Sequence, residues 1–305
     1  MEDSLESWEE KIAVVILNYN SSSLTIENVR QIKKISDKLH IIVVDNKSTD
    51  NSVAELNSKL CSYYNVQIIP NDMNRGYAAG NNVGINYVIE NLDNVTAIAI
   101  CNPDIIIPDL DVLRKMYYAI VNDKKLGAVT VQTIYNGKIN EPNECAWKYF
   151  SLTRLLLNSS ILFGRRIRHN RYGCFELNTD GVGYVDMVQG CFFMCGTLVL
   201  KNINGFDENT FLYSEEQILA KRLNRVGYIN GVVPTKFIYH NHQEKDKSLI
   251  SYDKKIFDIK CFFESRIYFV KNYMDLTPFM KKLASAILEF DFQVKKVLLR
   301  FRKKN

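Results

Sequence analysis

The sequence predicts an α/β fold built on a mostly parallel central sheet flanked by helices, and three observations carry that prediction. Short apolar runs alternate with helical patterns four times between residues 11 and 132. The runs are continuously apolar and rich in β-branched residues, as strands covered on both faces must be. They break off into polar loops of Asn, Ser and Asp, at the sheet edge where open α/β sheets take their ligands.

The first run, Lys11 to Leu17, is a buried strand; Asn18 to Ser23 breaks it, and a helical pattern continues to about Ser36. His40 to Asp45 repeats the design, and Ser52 with Glu55 three positions on has the spacing of a capping box. Val66 to Ile69 is a third, shorter strand. After it, Gly76, Gly80 and Gly84 recur every four residues, which places them on one helical face suited to close packing. Ala97 to Cys101 is the central strand, stopped at Asn102-Pro103, so that Asp104 falls just past its carboxyl end. Leu126 to Gln132 adds another strand.

From Thr133 to Gly183 the pattern weakens: Asn136-Gly137 is a turn signal, Trp147 to Leu162 reads as an amphipathic helix, and Arg165 to Arg171 as a basic loop. Tyr184 to Val188 and Cys191 to Leu200 return to strand, with Gly190 as a bend between them. Ser214 with Gln217 repeats the capping-box spacing, which sets Glu215 and Glu216 in the first turn of a helix stopped at Gly227. Acidic residues favour that turn through the helix dipole alone. Tyr228 to Val233 and Phe237 to Tyr239 are strand-like and end at His240-Asn241-His242, and Asp253 to Val270 and Pro278 to Arg302 are helical.

Composition removes several classes. With 39 Lys and Arg against 34 Asp and Glu, the net charge of +5 is too small to argue for nucleic acid, although Lys295, Lys296, Arg300, Arg302, Lys303 and Lys304 crowd the end. The seven cysteines fit neither a zinc nor a disulfide framework, which favours a reducing cytoplasm. Met1 to Glu10 lacks the basic start and apolar core of a signal peptide, and Cys191 to Leu200, the longest apolar run, is too short to cross a bilayer.

In order along the chain, Val15 to Asn20, Val44 to Asp50, Asn74 to Asn82, Asn102-Pro103-Asp104, Gly205 to Glu208, Phe211 to Glu216 and His240 together resemble the family-2 glycosyltransferases of the GT-A fold, most closely rhamnosyltransferase-like members that build bacterial surface polysaccharides such as O-antigen or capsule. The resemblance covers roughly Ile12 to His242. It implies a catalytic domain over 1–242, with a nucleotide-sugar half at about 11–132 and an acceptor half at 133–242, and a helical extension over 243–305.

The resemblance also implies roles. Asn18, Tyr19, Asn20, Asp45 and Arg75 would line the crevice for the nucleotide. Asp104 matches the last acid of the family's Asp-x-Asp motif, which ligates Mg²⁺ or Mn²⁺ on the donor diphosphate; Asn102 stands where that motif has its first acid. His240 matches a histidine that closes over the metal or diphosphate, with His242 as a second candidate. Glu216 matches the catalytic base and Glu215 its acidic neighbour, with the choice between them open, and Ile218 stands where relatives often carry another acid. The implied reaction is an inverting transfer from a nucleoside diphosphate sugar, dTDP-rhamnose or a UDP-hexose, to a lipid-linked saccharide. The two basic stretches suit an anionic membrane face at the inner side of the plasma membrane, or, for the tail, a homodimer contact.

Other nucleotide-binding families fit poorly. Asn18 to Ser23 has neither the glycines nor the cation that a nucleotidyltransferase or a nicotinamide dehydrogenase needs after its first strand. The non-enzymatic alternative is a nucleotide-sugar-binding or scaffold protein of the same fold, against which Asp104, Glu215, Glu216 and His240 speak.

Overall fold

The structure, a computed structural model, describes residues 7–135, 138–139, 145–160, 172, 174–241 and 251–303, with 138–139 and 302–303 as backbone only. The Asn136-Gly137 turn, the Arg165 to Arg171 loop and His242 lie outside the described residues. The chain begins with β1 (Ile12–Asn18), α1 (Ser22–Ile35), β2 (His40–Asp45), α2 (Ser52–Leu60), β3 (Val66–Pro70), α3 (Tyr77–Asn91) and β4 (Ala97–Cys101). These four strands pair in parallel in the order β3-β2-β1-β4. In that register Asn18 stands opposite Asp45, so the two polar loops leave the sheet side by side.

After β5 (Ile105–Ile106), α4 (Leu110–Asn122), β6 (Leu126–Tyr135), β7 (Lys138–Ile139), β8 (Ala146–Trp147) and α5 (Leu152–Ser159), the chain runs through β9 (Gly183–Val185), β10 (Met187–Val188), β11 (Phe192–Gly196) and α6 (Thr197–Asn202). It ends with α7 (Glu215–Arg225), β12 (Ile229–His240), α8 (Tyr252–Tyr273) and α9 (Pro278–Lys303). The sheet continues β4-β11-β6-β12-β5, with β11 antiparallel to both neighbours and β6 parallel to β12. The architecture is thus α/β as expected, but mixed beyond β4, because β11 enters between β4 and β6 from the opposite direction.

One apolar layer packs β1, β2 and β4 against α1, α2 and α4, and a second packs the other sheet face against α3, α6 and α7. Close approach of α3 depends on its glycine face: a Cβ at Gly80 would lie 2.6 Å from Leu17 Cδ1, and one at Gly84 2.5 Å from Val15 Cγ1. A third cluster joins α5, α8 and α9 through Leu155, Phe263, Phe269 and Leu288. Among the described residues no helix is long and apolar enough to cross a membrane.

Four local expectations are corrected. Glu55 does not close a capping box on Ser52; its carboxylate accepts from Ser22 Oγ at 2.5 Å and ties α2 to α1. Ser214 precedes α7 but makes no capping hydrogen bond with its side chain; its backbone is left-handed at φ 66°, outside the extended conformation typical of a capping residue. The run Cys191 to Leu200 is strand only as far as Gly196 and then turns into α6, an ambiguity that periodicity in a short apolar run does not resolve. The two strand segments after Tyr228 are one strand, β12, whose register shifts between Val233 and Phe237, where Pro234 has no N–H to donate.

Candidate active site

Three groups of side chains meet at the carboxyl ends of the strands. At the ends of β1 and β2, Asn18 Nδ2 donates to Asp45 Oδ2 at 2.7 Å, while Ser48 donates to Asp45 through both its backbone N–H (2.9 Å) and its hydroxyl (2.6 Å). Asn18 Oδ1 in turn accepts from Thr25 Oγ1 at 2.7 Å and Ser21 Oγ at 3.2 Å. Asn18 and Asp45 are fully buried, so their polar groups fix the two loops against each other. Asn20 continues the stitch by accepting from the Thr49 N–H at 2.7 Å, and Tyr19 stands exposed between them.

The second group follows β4. His240, the last residue of β12, pairs with Ile105 of β5, and the Asn241 N–H donates to the Asp104 carbonyl at 3.2 Å. This places His240 Nε2 3.1 Å from Asp104 Oδ2, with the Tyr135 ring 5.0 Å from the imidazole centre to centre. The Asn102 N–H donates to the Cys191 carbonyl at 2.9 Å, tying the end of β4 to the start of β11.

The third group is the start of α7. Tyr213 and Ser214 are both left-handed, at φ 75° and 66°, an uncommon conformation for residues with a Cβ and one that costs about 1 kcal/mol or more each. Their neighbours hold the turn. Ser265 Oγ of α8 donates to the Leu212 carbonyl at 2.7 Å, the Tyr77 N–H to the Phe211 carbonyl at 2.9 Å, and Phe262 meets Tyr213 edge to face. Gly76 lets α3 begin against Phe211, since its φ of 92° and the adjacent Phe211 backbone leave no room for a Cβ.

This turn aims Glu215 and Glu216 into a cleft of about 650 Å³, which Asn102, Tyr135, Gln189, Gly190 and His240 also line. Glu216 is half-buried; a Cβ at Gly190 would lie 2.6 Å from its Oε1, so only glycine leaves the carboxylate its seat. Burial raises the Glu216 carboxyl above its ordinary range, while the backbone N–H groups of Glu216 and Gly190 hold it down. Glu215 is buried, and burial first, then the charge of Glu216, push its carboxyl up to about 8. At neutral pH the pair therefore shares one proton. We place it on Glu215, whose carboxyl is the one pushed up to about 8 and has an oxygen buried with no hydrogen-bond partner to favour the anion. Tyr77, whose hydroxyl donates to the Gly190 carbonyl at 2.7 Å, is held protonated by burial and by both glutamates.

Glu215 Oε1 and Gln217 Oε1 are buried beside the cleft with no hydrogen-bond partner, two acceptors suited to the hydroxyls of a ligand. Asp104 lines a smaller neighbouring pocket of about 230 Å³ with Asn28 and Gln31, and meets the cleft through His240. Asn18, Tyr19, Asn20 and Asp45 lie along the strand edge and do not line the cleft. Arg75 is exposed and ion-paired with Glu208. Sequence reasoning missed Tyr77, Gln189, Ser265 and Arg266. Of these, Arg266 lines the cleft from α8 while donating to Asn158 Oδ1 at 2.6 Å and the Leu155 carbonyl at 3.1 Å.

For a divalent ion, no group of three or more His, Cys, Asp or Glu side chains gathers among the described residues. Asp104 and His240 nevertheless supply one oxygen and one nitrogen donor in contact. A hard cation bound with a diphosphate takes its remaining ligands from phosphate oxygens and water, and Mn²⁺ accepts imidazole readily. The donor set therefore fits Mg²⁺ or Mn²⁺ shared with a diphosphate.

Comparison with known proteins bears on the family and the fold. The model of a family described as Glycosyl transferase family 2 matches residues 13–178. The low-salt glycan biosynthesis hexosyltransferase Agl10 of Haloferax volcanii is 27% identical over 215 residues, which take in 70% of this chain and 62% of that relative. The rhamnosyltransferase WbbL of Escherichia coli K12 is 22% identical over 243 residues, 79% of this chain and 87% of that protein. Among solved structures, the mannosyltransferase PcManGT of Pyrobaculum calidifontis, in complex with GDP-Man and Mn²⁺, superposes with a TM-score of 0.56 at 14% identity over 95% of this chain and 73% of that one, a likeness of fold.

Proposed function

This chain belongs to glycosyl transferase family 2, and from that membership we propose that it transfers one hexosyl unit from a nucleoside diphosphate sugar to a hydroxyl of a lipid-linked saccharide, with inversion. The observation that carries the proposal is the shared cleft, in which the Glu215-Glu216 pair faces the ends of β4 and β12. An acceptor oxygen attacks the anomeric carbon, its proton passes to Glu216, and the bond to the diphosphate breaks with its electron pair staying on the diphosphate. Glu215, protonated, donates to or orients the acceptor.

The nucleotide lies along the strand edge, with Tyr19 offering a face to the base and Asn18, Asn20 and Asp45 shaping the loops beneath it. Asp104 and His240, with Asn102 beside them, would hold Mg²⁺ or Mn²⁺, which would supply charge neutralisation for the departing diphosphate. The named activities of Agl10 and WbbL support a hexose or rhamnose donor and a place in glycan biosynthesis, and the sequence resemblance adds a uridine or thymidine diphosphate as its carrier.

A thermal-shift panel of nucleoside diphosphates and their sugars, with and without Mn²⁺, tests the reading. One diphosphate should stabilise the protein only when the metal is present, by about 2.7 kcal/mol at a hundredfold excess over Kd. Slow hydrolysis of the matching donor sugar should accompany it and vanish in Glu216→Gln. A protein that no nucleoside diphosphate stabilises is not this enzyme, and one stabilised without any hydrolysis is the binding protein instead.

A further inference from the structure

Helix α9 presents two unlike faces. Inward, Ala284 and Leu288 are buried, Phe292 packs on Phe263 of α8 at 5.9 Å between ring centres, and Lys295 Nζ donates to the Ser159 carbonyl at 2.8 Å. Outward, Phe279, Leu283, Ile287, Phe290, Val297 and Phe301 are all between 38% and 73% exposed. Their spacing keeps them within one stripe about 100° wide along nearly the whole helix. Exposed aromatic residues aligned in this way are not the scattered apolar surface of an ordinary soluble helix.

Two occupants suit such a stripe. Met280, Leu283, Ile287, Phe290, Val294, Val297 and Phe301 also satisfy a seven-residue repeat, the seam of a coiled coil with a second copy. Charge decides between them. From Pro278 to Lys303 the helix holds seven Lys and Arg against Glu289 and Asp291, an excess equal to that of the entire chain. Two copies laid seam to seam would bring like charge together. Of the positions flanking the seam, Phe279, Ala284, Ala286, Gln293 and Leu298 carry no charge, and the two that do, Asp291 and Arg300, would face Ala286 and Asn305 of a parallel partner and not each other. An anionic lipid surface meets both properties at once, taking the phenylalanines into its acyl boundary and the cations at its headgroups.

We propose that the outward face of α9 docks the protein on an anionic membrane surface. The face is tied to the cleft, because Lys295 binds α5 next to Asn158, while Phe262 and Arg266 of α8 line the cleft wall. Docking thus holds the cleft on the same body as the membrane contact, and its use for a lipid-linked acceptor rests on the transfer reading above.

Co-sedimentation of the full chain with phosphatidylcholine vesicles, with and without phosphatidylglycerol, tests the proposal. Binding should require the anionic lipid, weaken with salt, and fall by about tenfold or more in the triple variant Phe279→Ser, Phe290→Ser, Phe301→Ser. Lys282→Ser with Arg300→Ser should lower it by roughly fivefold for each cation removed. All five residues are exposed, so the unfolding midpoint and the nucleoside diphosphate shift should stay as in the parent. No anionic-vesicle binding, or binding unchanged in the triple variant, overturns the proposal. So does a concentration-dependent dimer that the same variant dissolves. Lost vesicle binding with an intact nucleotide response rejects docking alone, and the converse rejects the transfer reading alone.

Discussion

His240 Nε2 lies 3.1 Å from Asp104 Oδ2, across 136 residues of chain, because the last residue of β12 pairs with Ile105, the residue that follows Asp104. The contact is made by strand register and not by loop packing, so it exists before any ligand arrives. Asp104→Ala should lower turnover by about a hundredfold or more. It should also abolish the Mn²⁺-dependent part of the nucleoside diphosphate thermal shift, and a shift of undiminished size in that variant would remove Asp104 from the metal.

Glu216→Gln keeps the size and the seat against Gly190 but loses the proton acceptor. Single-turnover transfer should fall by about a hundredfold or more while donor affinity changes little. Glu215→Gln retains a neutral donor of similar shape and should cost less. The reverse ranking would make Glu215 the base.

The raised carboxyl of Glu215 makes stability depend on pH in a defined direction. Between its ordinary value of 4.5 and about 8 the folded protein holds a proton that the unfolded chain has released. Stability from this group is therefore complete below pH 4.5, falls as pH rises through that window, and levels off above it. Glu215→Gln should be more stable than the parent above pH 8, by a few kcal/mol at most, with the advantage fading below pH 4.5; urea midpoints across that range measure it.

Gly190→Ala should separate catalysis from folding. The added methyl displaces Glu216 Oε1, the far end of a flexible side chain, so the fold adjusts at small cost while the carboxylate leaves its backbone donors. Turnover should drop by about tenfold or more, with a urea midpoint close to that of the parent.

Ser214→Gly should stabilise the protein by up to about 1 kcal/mol by relieving the left-handed strain at φ 66°, and Ser214→Val should destabilise it by more than that. Chemical denaturation of both variants checks the sign. Equal stability of the glycine and serine forms would mean that the neighbours of the turn already absorb the strain.

Much of this arrangement is legible in the chain itself. The runs that form β1, β2 and β4 carry both their strand type and the polar residues at which they end, and the Glu215-Glu216 pair announces the start of α7. What stays hidden depends on partners distant in sequence. Ser52 and Ser214 have the spacing of caps, yet Glu55 finds Ser22, and Ser214 is bent left-handed by contacts from α3 and α8. Gly190 reads as a bend, and only the fold reveals that its missing Cβ makes room for Glu216. Ser265 and Arg266 sit within an amphipathic helix with no local mark of a place in the cleft wall.

The hydrogen bond from the Asn102 N–H to the Cys191 carbonyl carries one last implication. It rivets the tip of β4 to the chain immediately after Gly190, so the span from the Asp104 corner to the seat of Glu216 is a gauge of fixed length cut into the sheet. On the transfer reading proposed above, a sugar would have to bridge that gauge as it stands, and selectivity for ring size and hydroxyl position would then be inherited from β-strand spacing.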